Sequence, residues 1–209
     1  MESNKKSEEF NFLEAEMVKQ TSLFEDCTNI VVGKGSLESD IMFVGEAPGK
    51  KEDEIGEPFV GAAGKNLDKL LDNVGLSLDD IYVANILKCR PPENRDPTNE
   101  EIVAHTPWLL KQIGEIKPKV VCSLGNYATK FFMALGKVEG MKSQPGITKV
   151  HGKVQDCVLR WQGAGGREQV VEFRLIPLFH PAAIIYNRTK LTPLWEEDME
   201  IVKKEIGRI

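Results

Sequence analysis

The chain has no apolar run approaching the roughly 20 residues needed to span a bilayer. Its charged start, Met1-Glu2-Ser3-Asn4-Lys5-Lys6, leads into no apolar h-region. The expectation is a cytoplasmic chain with no membrane partner. Cysteine is sparse: Cys27, Cys89, Cys122 and Cys157 are scattered with no C-x-x-C pair, so spacing alone suggests neither a zinc finger nor a disulfide scaffold. Cys122, inside the apolar run Val120-Val121-Cys122-Ser123-Leu124, reads as a buried core thiol. An excess of basic charge is also missing. A net charge of −5 and a pI near 5.4 argue against a surface coated for nonspecific nucleic-acid binding, and leave room only for a local basic patch.

What remains is the profile of one ordinary domain with a real core: 209 residues, 41% hydrophobic and 28% charged. We read residues 1–209 as a single domain in which 1–25 form an N-terminal helical extension. Phe10, Leu13 and Met17 recur at helical spacing there. Asn29 to Val32 is a short strand candidate. Ile41-Met42-Phe43-Val44-Gly45 is a buried strand that ends on Glu46, Ala47, Pro48 and Gly49. Leu67, Leu70, Leu71 and Val74 mark a helix from 64 to 74. A second strand, 81–85, ends on Asn85. Thr98-x-x-Glu101 is a capping box opening a helix that Pro107 should kink. A third strand runs from Ile116 to Leu124. Residues 154–161 and 168–173 flank Gly163-Ala164-Gly165-Gly166 as a hairpin, and a final strand ends at His180-Pro181. The last helix is expected to open at Thr192-Pro193.

Strands alternating with helices predict an α/β fold: a three-layer α/β/α sandwich around a mostly parallel sheet. In such sheets ligands bind beyond the carboxyl ends of the strands, where Glu46, Asn85 and His180 fall. Phe59 lies in a Gly- and Pro-rich loop, either as a buried anchor or as a platform for a planar ligand. An Asn amide can read the edge of an amide-containing ring, and an aromatic can stack on its face. A His can donate to an oxygen that gains charge as a bond breaks, while a carboxylate positions water. That set sketches nucleobase excision. The stretch from Lys88 to Pro97, with three prolines and two arginines, is either a solvated connection or a rim that contacts phosphate.

Several segments resemble one family: Gly45-Glu46-Ala47-Pro48-Gly49-x-x-Glu52-Asp53, Gly56-x-Pro58-Phe59-Val60-Gly61-x-Ala63-Gly64, Asn85-Ile86-x-Lys88-Cys89-Arg90-Pro91-Pro92-x-Asn94-Arg95 and Phe179-His180-Pro181-Ala182. They closely resemble the family 4 uracil-DNA glycosylases, in the expected order, from about residue 29 to the C-terminal helix. The resemblance implies a three-layer α/β/α fold. It also implies hydrolysis of the N-glycosidic bond of a flipped-out deoxyuridine in single- or double-stranded DNA, by a monomer, as the first step of base excision repair. Phe59 would stack on uracil, Asn85 would bond its edge, and Gly45 would line the pocket. His180 would stabilise the leaving uracil, Glu46 would orient or polarise water, and Glu52 would sit on the uracil side, helping to exclude the thymine methyl.

Arg90, Arg95, Lys149, Lys153 and Arg188 would form the basic rim for DNA. A related subfamily traps DNA through a histidine in the loop after the second strand; Arg90 to Arg95 has none, so turnover is expected. Two other readings stay open: a glycosylase-like domain that binds DNA or a protein partner without excising a base, and a glycosylase for another deaminated base.

The family pattern includes a four-iron four-sulfur cluster held by a C-x-x-C pair and two later cysteines. Here Cys89 matches the third ligand, His105 stands at the fourth, and the pair would fall at Val18 and Thr21. Cys27 is too close to the first strand to serve. Too few ligands remain, so no metal or cofactor is expected, and packing of Phe24, Cys89 and His105 would have to replace what the cluster contributed.

Overall fold

A computed structural model describes residues 2–19 and 27–208. Helix α1 (Glu2–Lys19) comes first and buries Phe10, Leu13 and Met17, the stripe seen in the sequence. The sheet has six strands: β1 (Lys34–Gly35), β2 (Ile41–Gly45), β3 (Tyr82–Asn85), β4 (Val120–Leu124), β5 (Gln155–Gln162) and β6 (Glu168–Leu178). Their spatial order is β1-β3-β2-β4-β6-β5. The four inner strands β3, β2, β4 and β6 are parallel, and β1 and β5 are antiparallel edges.

β2, β3 and β4 are buried on both faces and read as short, mostly apolar runs, while β6 is buried on both faces only over Leu175–Leu178. Their side chains alternate between two cores. Met42, Val44 and Val121 face Leu109 and Ile113 of α4 (Asn99–Ile116) and Phe131 and Phe132 of α5 (Gly125–Met133). Ile41, Phe43, Cys122 and Ile176 face Leu67 and Leu71 of α3 (Ala62–Asn73) and Trp195, Met199 and Val202 of α8 (Arg188–Ile206). The three-layer α/β/α sandwich of the sequence reading is the fold observed. Three short helices complete it: α2 (Lys50–Ile55), α6 (Ile147–Val150) and α7 (Pro181–Tyr186).

Several local readings need correction. Residues 29–32 form no strand; the first ladder is at Lys34–Gly35, and the preceding segment is held by single bonds such as Val31 N–H to the Lys88 carbonyl at 2.8 Å. The charged stretch after Gly49, given no element in the sequence reading, is α2, because Gly49 extends the chain at its N-cap and Gly56, with φ of 84°, ends it. The predicted helix start at Thr192-Pro193 is wrong as well. α8 begins at Arg188 and carries Pro193 inside it, at its sixth residue and past the first turn, the part of a helix in which a missing donor would go unnoticed. α4 likewise runs through Pro107, and its capping box is as expected: the Thr98 hydroxyl accepts from Glu101 N–H, and the Glu101 carboxylate accepts from Thr98 N–H. It extends to Ile116, so β4 begins at Val120 and not at 116.

Among the described residues no helix is long and apolar enough to cross a membrane. Cys122 is fully buried, and burial pushes its thiol well above the usual range.

Candidate active site

The parallel strands β2, β3 and β6 run out at one edge of the sheet, and their next residues converge there. β2 and β3 are in register, with Gly45 opposite Asn85. A Cβ built on Gly45 would fall 2.4 Å from Asn85 Oδ1 and 2.8 Å from Phe59 Cζ. Only glycine lets both side chains share this floor. Phe59 is 6% exposed and its ring stacks at 6.1 Å and 29° on that of His180. Asn85, Phe59 and His180, far apart in sequence, are thus brought side by side, with Glu46 the next residue after Gly45.

The Phe59 loop is held from three sides. Glu52 Oε1 accepts from Val60 N–H at 3.0 Å and from Gly61 N–H at 2.8 Å. Lys34 Nζ reaches the Phe59 carbonyl at 3.5 Å. Gly64 leaves no room for a Cβ, which would lie 1.7 Å from that same carbonyl oxygen. Phe59 has φ of 54°, a conformation that costs a bulky residue energy and persists only when its surroundings over-determine it. Glu52 thus braces the loop through one oxygen, on the His180 side of the pocket.

Electrostatics separate the titratable groups. Burial pushes the Glu46 carboxyl up to about 7, and the nearby Asp96 carboxylate adds in the same direction. Burial holds His180 down to about 4, against the opposing pull of Glu52. His180 Nδ1 accepts from Ala182 N–H at 3.2 Å, so the neutral ring carries its proton on Nε2. The Asn85 side chain is 2% exposed, and its Oδ1 is buried with no hydrogen-bond partner. An orphaned buried acceptor of this kind calls for a donor from a ligand.

Sequence reasoning missed several neighbours. Asp96 and Tyr127 lie beside Glu46; burial first, then the hydrogen bond to Asp96, push Tyr127 up to about 12. His151 pairs with buried Asp198 at 2.9 Å and packs its ring 4.6 Å from Phe179, bracing the segment that carries His180. Lys88, read with the stretch to Pro97 as solvated connection or phosphate rim, is instead wholly buried, its amine bonded to the Asn85 carbonyl. No local signal marked these residues, since each acquires its partner across the fold.

The predicted rim is dispersed in its engagements. Arg90 Nε donates to Asn94 Oδ1 at 2.7 Å, and Lys153 Nζ donates to the Lys149 carbonyl at 2.7 Å. Lys149 and Arg188 are exposed. Arg95 forms a two-pronged pair with Glu101, at 2.7 and 2.8 Å, so its fork is already committed.

The cluster ligands of the family pattern do not fit. Cys89 is bonded to Cys27 in a disulfide, with 5.5 Å between their Cα atoms. Spacing alone suggested no disulfide, and this bond corrects that reading. The two are 62 residues apart, so spacing could not reveal the pair. His105 Nδ1 accepts from Lys88 N–H at 3.0 Å, and burial holds its ring down to about 4. Among the described residues no group of three His, Cys, Asp or Glu side chains is placed to hold a metal ion. Val18 is in the last turn of α1, while Thr21 and Phe24 lie outside the described residues.

Fold and pocket together define an α/β domain that presents an amide, an aromatic face, a neutral imidazole and a carboxyl at the strand ends. The family model of the uracil DNA glycosylase superfamily matches residues 32–200. The chain is 41% identical over 191 residues to the type-4 uracil-DNA glycosylase of Archaeoglobus fulgidus, covering 91% of this chain and 87% of that protein. It is 43% identical over 182 residues to that of Thermotoga maritima, covering 87% and 85%, and 42% over 188 residues to that of Sulfurisphaera tokodaii, covering 89% and 79%. The chain belongs to the uracil DNA glycosylase superfamily.

Proposed function

We propose that this protein is a uracil-DNA glycosylase. It hydrolyses the N-glycosidic bond of a flipped-out deoxyuridine, releasing uracil and leaving an abasic site. The observation that carries the reading is the buried, unpartnered Asn85 Oδ1 beside the faces of Phe59 and His180. Uracil offers an N3–H donor to that oxygen and a 4-oxo acceptor to the amide nitrogen. Cytosine presents the reverse pattern and would leave both amide groups opposed to like partners. The type-4 names of the relatives point to the same base.

In the reaction the glycosidic electron pair departs with the base, so uracil leaves as an anion. Neutral His180 donates from Nε2 to the oxygen that gains this charge, and Phe59 holds the ring plane. Glu46 orients a water toward C1′ and accepts its proton; a carboxyl near 7 is matched to this task at neutral pH. Glu52 fixes the loop that carries Phe59 and narrows the uracil side of the pocket. Arg90, Arg95, Lys149, Lys153 and Arg188 contact the DNA backbone, with Arg95 engaging only when its pair with Glu101 opens. The enzyme works as a single-domain monomer in the cytoplasm, on single- or double-stranded DNA, without an iron–sulfur cluster. The misfit of Cys89 and His105 to that cluster supports the last point.

Base release from matched duplexes carrying uracil, thymine, hypoxanthine or xanthine tests the reading. Release of uracil is expected, and His180→Ala should slow it by roughly 10²–10³-fold, the usual cost of losing such a donor. Preferential release of another base assigns the pocket to that base, and no release from any of them leaves a DNA-binding domain.

A further inference from the structure

Behind Asn85 lies a feature that the excision chemistry does not use. Lys88 is 0% exposed. Its ammonium donates to the Asn85 carbonyl at 2.7 Å, to Gln112 Oε1 at 2.6 Å and to the Val32 carbonyl at 3.5 Å. Three donors meet three neutral acceptors, and among the described residues no carboxylate pairs with it. Burying an ammonium without a counter-ion is costly, burial alone pulling Lys88 down to about 7, and an apolar side chain of the same length would fill the space more cheaply. The expense is explicable if the ammonium holds something that must not move.

What it holds is the peptide that carries the base-reading amide. Asn85 ends β3, and beyond it the ladder continues only as Ile86 N–H to the Gly45 carbonyl and Leu87 N–H to the Glu46 carbonyl, each at 3.0 Å. The turn from 85 to 88 thus ties the peptides of Asn85 and Glu46 together, and the Lys88 side chain folds back to close it. Gln112 anchors the ammonium from α4 and is itself fixed, its Nε2 donating to the Val32 carbonyl at 2.8 Å and to the Tyr82 hydroxyl at 3.2 Å. His105, also from α4, accepts the Lys88 N–H.

We propose that Lys88 is a positioning residue for base recognition: its buried ammonium clamps the Asn85 peptide so that the side-chain amide meets the uracil edge in one orientation. The inference rests on the uracil reading above. The clamp acts on the bound base and not on the DNA backbone, so its loss should appear in affinity for uracil before it appears in affinity for DNA.

The test is Lys88→Met, which keeps the length of the side chain and removes the ammonium. The readout is inhibition by free uracil, alongside the KM for a uracil-containing oligonucleotide. An inhibition constant does not depend on how much of a preparation is folded, so a purely structural role would lower yield or Tm and leave it unmoved. We expect uracil inhibition to weaken about tenfold, with KM for DNA within about twofold of wild type. Should that variant fail to fold, Gln112→Leu, which removes one of the three acceptors, should weaken uracil inhibition about threefold. An unchanged inhibition constant in the folded variant overturns the clamp. Absence of uracil release by the wild-type chain overturns the reading beneath it instead.

Discussion

The Cys27–Cys89 disulfide should contribute a large part of this protein's stability, and its removal is a sharp test of the structure. The bond closes a loop across a sequence separation of 62 residues. In the chain-entropy model a loop of that size is worth about 4 kcal/mol, as an upper value. For a chain of this length each kcal/mol moves Tm by roughly 2–4 °C, so reduction should lower Tm by roughly 10 °C. The effect should be local to the site as well. Cys27 begins a segment in which Thr28 and Asn29 N–H donate to Asp53 Oδ1 at 2.8 and 3.2 Å, on α2, while Val31 N–H bonds the Lys88 carbonyl. That segment links the helix of Glu52 to the turn that follows Asn85. Thiol titration of the denatured, unreduced protein should count two thiols, Cys122 and Cys157, and four after reduction. Cys27→Ser should reproduce the Tm of the reduced protein. Four thiols without reductant, or a Tm indifferent to both reductant and Cys27→Ser, would exclude a stabilising Cys27–Cys89 bond.

Three further outcomes follow from the site. Glu46 is protonated below about 7 and then cannot accept a proton from water, so single-turnover uracil release should fall as pH drops through 7. Because His180 stays neutral down to about 4, Glu46→Gln should remove that limb along with roughly 10²–10⁴-fold of rate; a limb that survives the substitution would assign it elsewhere. Gly45→Ala should displace Asn85 and Phe59 from the shared floor and weaken uracil inhibition at least tenfold with DNA binding retained, since its Cβ would sit 2.4 Å from Asn85 Oδ1; wild-type inhibition by uracil in that variant would show that the floor has slack. DNA affinity should fall with salt at a log–log slope near −4 for about four or five phosphate contacts, and Arg188→Ala should reduce that slope by about one; a slope near zero would exclude the basic rim.

The fold was largely legible because parallel strands buried on both faces must be continuously apolar, as 41–45 and 120–124 are. The helices between them carry one-sided stripes such as Leu67, Leu70 and Leu71. The candidate site was suggested by strand ends: Glu46 follows the run that forms β2, and Asn85 ends β3. Boundaries were less so. Pro193 and Pro107 sit inside helices that continue because packing of Trp195 and Trp108, both nearly inaccessible, outweighs one missing donor. α2 escaped notice because six mostly charged residues carry no stripe.

By itself, then, the sequence determined the sandwich, the superfamily motifs and the polar strand ends, since each depends on local periodicity or on residue type at a turn. Only the tertiary structure decided which groups share charge and hydrogen bonds. Glu46 is raised by burial beside Asp96, His180 is held neutral with its proton on Nε2, and Arg95 is spent on Glu101. Cys27 finds Cys89, and Lys88 is enclosed by acceptors from three separate segments. Burial and cross-chain proximity are properties of the folded whole, so no spacing along the chain encodes them.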